Sequence, residues 1–363
     1  MIPIANPDLG ESEIENVSDI IESGIIADGP QVRDFETAFA EYSGVEHAVA
    51  TSNGTTALHT ALEALELGTG DRVVTTPFSF IASSNAIRLA GAEPVFADID
   101  AETFNLDPES VREIAETQDV DAILAVHLYG LPCDMDALCD IATEHDLALI
   151  EDCAQAHGAT YNDQPVGSFG DVACFSFYPT KNMTTGEGGM LVTNDAGIAE
   201  RAESFVNHGR PPEGGYKHVR VGHNFRMTSI AAAIGQVQLE KLPDFLIKRR
   251  ENARRFNDGI DDDIVELPTI PGNRTHAYHQ YTIRAENRDE LLEHLQNRGV
   301  GVKVYYPKCI HQQPAYNSEM EQKDFHVAER AANEVVSLPV HPRLSDQDIE
   351  TIINAVNDFG GRR

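Results

Sequence analysis

Residues 147–159 read LALIEDCAQAHGA and residues 176–190 read SFYPTKNMTTGEGGM. The apolar run LALI ends on Glu151 and Asp152, which predicts a buried strand carrying an acid at its carboxyl end. Burying a carboxylate there without a cationic partner is costly. A helix N-cap gives an Asp the same look, since Cys-Ala-Gln-Ala follows. CFSFYP (174–179) and GMLVTN (189–194) read as two further strands around the second stretch. Upstream, helix-like and strand-like runs alternate: GTTALHTALEALEL (54–67), RVVTT (72–76), SNAIRLAG (84–91), PVFADI (94–99), DPESVREIAET (107–117), AILAVHLYG (122–130) and MDALCDIATEHD (135–146). This alternation predicts an α/β domain with a mainly parallel sheet covered on both faces. Ligands then bind beyond the carboxyl ends of the strands.

The pattern changes after about residue 240. KLPDFLIKRRENARRFNDGI (241–260) predicts a long helix with a basic stripe, and its KRRENARR run reads as a solvated face. YHQYTIRA (strand), DELLEHLQNRG (helix), VKVYYP (strand) and SDQDIETIINAVNDF (helix) follow. The expected division is a large domain over 1–245 and a smaller C-terminal α+β domain over 246–363.

The chain has 363 residues, 27 basic and 59 acidic, for a formal charge of −32. The acid is spread along the whole length, and 41% of residues are apolar, enough for a core. Such a field repels nucleic-acid phosphates and anionic lipid headgroups, so neither nucleic acid nor membrane is an expected partner. The acidic, lysine-poor balance suggests a halophilic protein. Five widely spaced cysteines (Cys133, Cys139, Cys153, Cys174, Cys309) favour buried free thiols in a reducing cytoplasm. MIPIANPDLGESEIE has neither a basic nor an apolar leader region, and no stretch approaches the ~20 apolar residues of a membrane span. A soluble, cytoplasmic protein is expected.

Lys181 is the only lysine before position 217. A desolvated lysine can attack an aldehyde to form a Schiff base, and arginine cannot; an ordinary surface lysine is the alternative. SNGTTALHTALEAL, a hydroxyl-rich turn opening into a helix, offers free N–H groups and a positive dipole end. It reads as a phosphate cup, or simply as a capped helix start. Lysine, strand-end acid and cup are jointly what a pyridoxal phosphate enzyme requires, because the acid keeps the ring nitrogen protonated. Fourteen histidines show no metal-ligand spacing, so no metal is expected.

SNGTTAL, TTPFSFIASSNAI, IEDCAQAHGA, FSFYPTKNMTTGEGG and GHNFRMTSIAAAIGQVQL resemble the nucleotide-sugar aminotransferases of the DegT/DnrJ/StrS type. HAYHQYTIR, VYYPKCIHQQPAY and SLPVHP extend the likeness to the C-terminus. The resemblance implies the aspartate-aminotransferase-like fold, pyridoxal 5'-phosphate, and a homodimer with active sites at the subunit interface. Lys181 matches the Schiff-base lysine, and Asp152 the acid on the pyridinium nitrogen. Gln155 matches a residue near the phenolic oxygen, and Phe80 an aromatic stacked on the ring. Gly54, Thr55, Thr56 and Ser176 match phosphate contacts, and Asn224 an asparagine reaching the phosphate from the partner subunit. His157 and Glu187 match motif positions of less defined role. Tyr178 and Tyr305 stand where relatives often carry histidine. Arg226, Tyr305 and His311 are expected on the substrate side, with Arg210, Lys217 and Arg220 in a basic loop around the nucleotide. The implied reaction moves an amino group from glutamate to a keto-sugar nucleotide. The alternatives are a dehydratase of the same family, which typically lacks the lysine, and a catalytically silent regulator.

Overall fold

The computed structural model describes residues 1–211, 214–316 and 324–360. Strands β1 (His47–Thr51), β2 (Arg72–Thr75), β3 (Glu93–Phe96), β4 (Ala122–Val126) and β5 (Ala148–Asp152) join Val172–Ser176 and Gly189–Thr193 in one seven-stranded sheet. Its order is β1, Gly189–Thr193, Val172–Ser176, β5, β4, β2, β3. Only Gly189–Thr193 runs antiparallel to its neighbours. The carboxyl ends of β1, β2, β4, β5 and Val172–Ser176 therefore share one edge. β4 is buried at every residue, as a central strand between two helical layers must be.

Helices begin where local chemistry caps them. Asn53, Asp107, Asp134, Asp195 and Thr228 each accept an N–H of the following first turn through the side chain. One sheet face packs on an aromatic cluster of Phe35, Phe39, Phe175 and Phe177, all at most 2% exposed. Full burial of one such ring contributes about 1.5–3 kcal/mol.

The helix Ser229–Gly259 runs unbroken through the expected boundary at 245/246. Its first half packs on the aromatic cluster through Leu239, Leu242 and Leu246; beyond it, Ala253 and Phe256 join a second core with Tyr281, Leu291 and Ile352. Packing also crosses the boundary both ways. Ile2 bridges to Val300, whereas Cys309, Ile310, Tyr316 and Phe325 pack into the core beneath the large sheet. Two expectations need correction. Val302–Pro307 is not a strand: Lys303 makes a single bridge to Ser337, and Tyr306 turns the chain at φ 62°. The KRRENARR run is not a uniformly solvated face. Arg249 is 5% exposed and donates to the Tyr278 carbonyl at 2.9 Å, while Arg250 donates to the carbonyls of Gly158 and His276. These arginines supply donors for carbonyls of an irregular segment that no strand partner serves. All five cysteines are free, and four are buried.

Candidate active site

Asp152 closes β5 and is buried. The Ser83 hydroxyl donates to its Oδ2 at 2.8 Å, and the Ala154 N–H to its Oδ1 at 3.1 Å. Burial pushes this carboxyl up, opposed by those two donors and by the charge of Lys181. Its neighbour Glu151 points to the other side of the strand and is satisfied internally. It accepts the N–H groups of Gly167, Phe169 and Gly170 and pairs with His127 at 3.0 Å. His127, Glu151 and Cys153 lie close enough to hold a metal, but the first two already spend their polar atoms on these bonds and on the Cys133 N–H.

Lys181 sits in the turn after Val172–Ser176, half-buried. The turn is fixed from several sides. Lys181 N–H donates to the Tyr178 carbonyl at 2.8 Å, Thr184 Oγ1 donates to the Phe177 carbonyl at 2.8 Å, and Asn182 Nδ2 donates to the Ala277 carbonyl at 2.8 Å. The Thr184 N–H reaches Gln238 Oε1, and Gln238 is tied in turn to Glu13 and the Asp8 carbonyl. Burial pushes the Lys181 amine down to about 8, with Asp152 opposing. A large fraction is therefore neutral at mildly alkaline pH, as a nucleophile or proton carrier requires.

The helix Gly54–Ala64 begins beside them. Asn53 Oδ1 accepts the Thr56 N–H, and Thr56 Oγ1 accepts the Asn53 N–H, a reciprocal cap. The N–H groups of Gly54 and Thr55 have no acceptor among the described residues. Thr56 differs from the expectation that it is a phosphate contact: its hydroxyl and N–H are both engaged within the turn, so the free donors belong to Gly54 and Thr55. A Cβ on Gly54 would lie 2.7 Å from Ser176 Cβ. Glycine there is what brings Ser176 against the cup. One at Gly189 would meet the Asn53 carbonyl oxygen at 2.4 Å, so that strand too can pass the cup only without a side chain.

Gln155 lies in the segment after Asp152. Its Oε1 accepts the Tyr129 N–H at 2.9 Å, and its Nε2 donates to the Tyr306 hydroxyl at 3.0 Å. Phe80 is 59% exposed, whereas Phe78 is buried against Tyr306. A large exposed aromatic at a strand-end edge is suited to stacking on a flat ligand. His157 is fully buried against Phe175 and Phe177, with neither ring nitrogen hydrogen-bonded among the described residues. Burial, with the Lys181 charge adding, pushes it down to about 3, so it is neutral. Glu187 is exposed on the Lys181 turn.

The substrate-side expectations fare differently. Tyr305 is half-buried, packed against Tyr306 and capped by Lys303 Nζ at 5.0 Å, and Gln280 and Tyr178 act on its hydroxyl. It belongs to the same edge as Lys181. The His311 ring packs against Phe325, and its Nε2 meets Glu329 Oε1 at 2.9 Å, while the preceding Ile310 N–H donates to the Pro77 carbonyl just beyond β2 at 2.8 Å. Arg226 turns to Asn207 at 2.5 Å and Asp28 at 3.9 Å, where Arg33 and Arg210 help line a cavity of about 180 Å³. Asn224 is exposed, and its side chain has no hydrogen bond among the described residues. Its segment runs beside the cup, since the Ser52 N–H donates to the Phe225 carbonyl at 2.7 Å. Lys217 and Arg220 are exposed on the adjoining loop.

Sequence reasoning missed Ser83, Tyr129 and Tyr306. The signal for Ser83 was available, as buried hydroxyls in the SSN run need an acceptor. Ser83→Ala removes a donor to a buried carboxylate. It is expected to lower turnover about tenfold, in line with the ~1.5 kcal/mol of a charge-assisted bond, and steady-state kinetics of the purified variant checks this.

Residues 7–357 match the DegT/DnrJ/EryC1/StrS aminotransferase family. A protein described as "Pleiotropic regulatory protein" from Geobacillus stearothermophilus is 40% identical, covering 96% of this chain and 94% of its own. A GDP-perosamine synthase from Escherichia coli O157:H7 is 39% identical, covering 99% and 98%. The crystal structure of S. venezuelae DesV in complex with a ketimine intermediate superposes with a TM-score of 0.93 at 36% identity, over 97% of this chain and 95% of that one. With the sheet and strand-end site described above, the fold is aspartate-aminotransferase-like. The chain belongs to the DegT/DnrJ/EryC1/StrS aminotransferase family.

Proposed function

We propose that this protein is a pyridoxal-phosphate-dependent aminotransferase that takes an amino group from glutamate and delivers it to a keto-sugar nucleotide, for amino-sugar and surface-glycan biosynthesis. The observation that carries this reading is the convergence of Lys181, Asp152, Gln155, Ser176 and the unpaired N–H groups of Gly54 and Thr55 at one sheet edge. The donor set fits the cofactor part by part. A dianionic phosphate suits free helix N-terminal amides and Ser176, a pyridinium suits a buried carboxylate, and an aldehyde suits a desolvated amine.

When bound, pyridoxal phosphate supplies an electron sink that makes the donor's α-proton removable. The chain's residues do the rest. Lys181 would accept the proton from the donor's α-carbon and return it to the former aldehyde carbon across the intervening nitrogen, a task that the larger neutral fraction of its buried amine favours. Asp152, held by Ser83 and Ala154, keeps the ring nitrogen charged. The cup anchors the phosphate, and Phe80 covers the ring. Within this reading 1–245 is the cofactor-binding unit and 246–363 the smaller one.

A homodimer with shared sites is supported by the exposure of Asn224, which would reach the phosphate of the partner's site, and of Lys217 and Arg220, which would supply cations for a nucleotide diphosphate. We place the enzyme in the cytoplasm, adapted to high salt. No helix among the described residues is long and apolar enough to cross a membrane. An intact Lys181–Asp152 pair supports an enzyme over a silent regulator, and the retained lysine supports transfer over dehydration.

Incubation with glutamate and a panel of GDP-, dTDP- and UDP-linked keto-sugars, followed by mass spectrometry, tests the reading. An amino-sugar nucleotide is expected from at least one acceptor. A dehydrated sugar, or no product from any, would overturn it. Gly54→Ala is expected to weaken cofactor binding roughly tenfold or more, because a steric shift of the cup costs at least ~1.4 kcal/mol. Equilibrium titration of the apoprotein with pyridoxal phosphate measures this.

A further inference from the structure

The Gln155 amide has a determined orientation. The Tyr129 N–H can only donate, so the amide atom facing it at 2.9 Å is the oxygen. The other end is then the NH₂ group, which can only donate, so the Tyr306 oxygen 3.0 Å away accepts. A phenol that accepts through a lone pair keeps its own proton for a third group. The arrangement is held by backbone that side chains seldom adopt: Tyr129 stands at φ 57° and Tyr306 at φ 62°. Such conformations persist only where the surroundings enforce them, and they concentrate at functional sites. Here Gly130 packs against the Gln155 carbonyl and the N–H groups of Tyr278 and His279, where a Cβ would come within 3.2 Å of all three. The two tyrosine rings stack at 6.2 Å with 20° between planes, and Phe78 closes the edge of Tyr306. Burial holds the Tyr306 phenol well above its ordinary range, so the proton stays on. Asp152 lies near enough to act on the same hydroxyl.

Tyr306 thus stands between the residue expected at the cofactor's phenolic oxygen and the acid expected at its ring nitrogen. We infer that Tyr306 is a positioning residue whose hydroxyl, its lone pair occupied by Gln155, donates to the cofactor's phenolic oxygen, so that Gln155 and Tyr306 hold that oxygen as an anion. This rests on the reading of the site as a pyridoxal phosphate site. It goes further by assigning a second donor and a fixed direction to each bond.

Stabilising the phenolic anion lowers the affinity of the neighbouring lysine–cofactor linkage for its proton. Removing one donor must raise the pH at which the linkage loses that proton. The test is a pH titration of the visible band of reconstituted wild type, Tyr306→Phe and Tyr129→Phe, with thermal melting of each. Tyr306→Phe is expected to move the midpoint upward by about one pH unit or more. Tyr129→Phe, which removes a hydroxyl with no partner among the described residues, is expected to leave the midpoint in place. A Tyr306→Phe protein that binds cofactor with an unmoved midpoint overturns the inference, whatever its melting temperature. If wild type forms no visible band, the cofactor reading itself fails. If Tyr306→Phe alone cannot be loaded, Gln155→Leu provides the second arm: it removes the other donor, and an unmoved midpoint there also overturns the inference.

Discussion

Lys181→Ala is expected to abolish turnover, with a loss of at least about 10⁴-fold, because one amine both attaches the cofactor and carries the proton. No other lysine precedes position 217, and the nearest amine to this edge, that of Lys303, is spent over the Tyr305 ring. The same residue carries a pH signature in the apoprotein. Its amine titrates near 8 in the folded protein against 10.5 when unfolded. Below pH 8 it is charged in both states, and the folded protein bears the full penalty of burying the charge. Between pH 8 and 10.5 only the unfolded state holds the proton firmly, and the penalty shrinks as pH rises. The upper bound is ~3 kcal/mol, reduced by whatever water reaches a half-buried amine. Urea denaturation of apo wild type and Lys181→Met from pH 7.5 to 10 is expected to show the variant more stable at the lower end, with the difference closing toward the upper. A constant difference would mean that Lys181 is solvated.

Asp152→Asn is the second large effect. The amide preserves shape: its oxygen can still accept the Ala154 N–H and its NH₂ can donate to the Ser83 hydroxyl, but it leaves the ring nitrogen without an anion. Removing one preorganised electrostatic stabiliser typically costs about 10²–10³ in rate, and a loss of that size is expected in kcat. The fold should survive, since the buried carboxyl is itself a strained charge that burial pushes up. Circular dichroism and melting of the variant, beside single-turnover kinetics with glutamate, separate the two contributions.

How much of this was legible beforehand follows the physics of each residue. The strands of the large sheet are readable because burial on both faces forces continuous apolar runs, as in AILAV and ALI. Asp152 and Lys181 were legible as chemical exceptions, an acid ending an apolar strand and an amine where the rest of the half has only arginine. The cup was legible as a helix start, but not that Thr56 spends its donors on its own cap. Tyr129 and Tyr306 were hidden because their role depends on positive φ angles and on a contact between residues 151 positions apart. VKVYYP has strand composition, and tertiary context overrides it at Tyr306. Arg249 was read as solvated because charge on a helix usually is, yet carbonyls of the irregular segment before Tyr281 take it inside. His311 sits in a stretch with family likeness, and its ring is held by Phe325 and Glu329.

The most direct test of the central claim is the visible spectrum of protein reconstituted with pyridoxal phosphate in high salt, recorded before and after glutamate, beside Lys181→Ala. The account predicts a visible band in wild type that glutamate shifts into the near ultraviolet, and no such response in the variant. A wild-type protein that takes up no cofactor, or whose band is indifferent to glutamate, would contradict it.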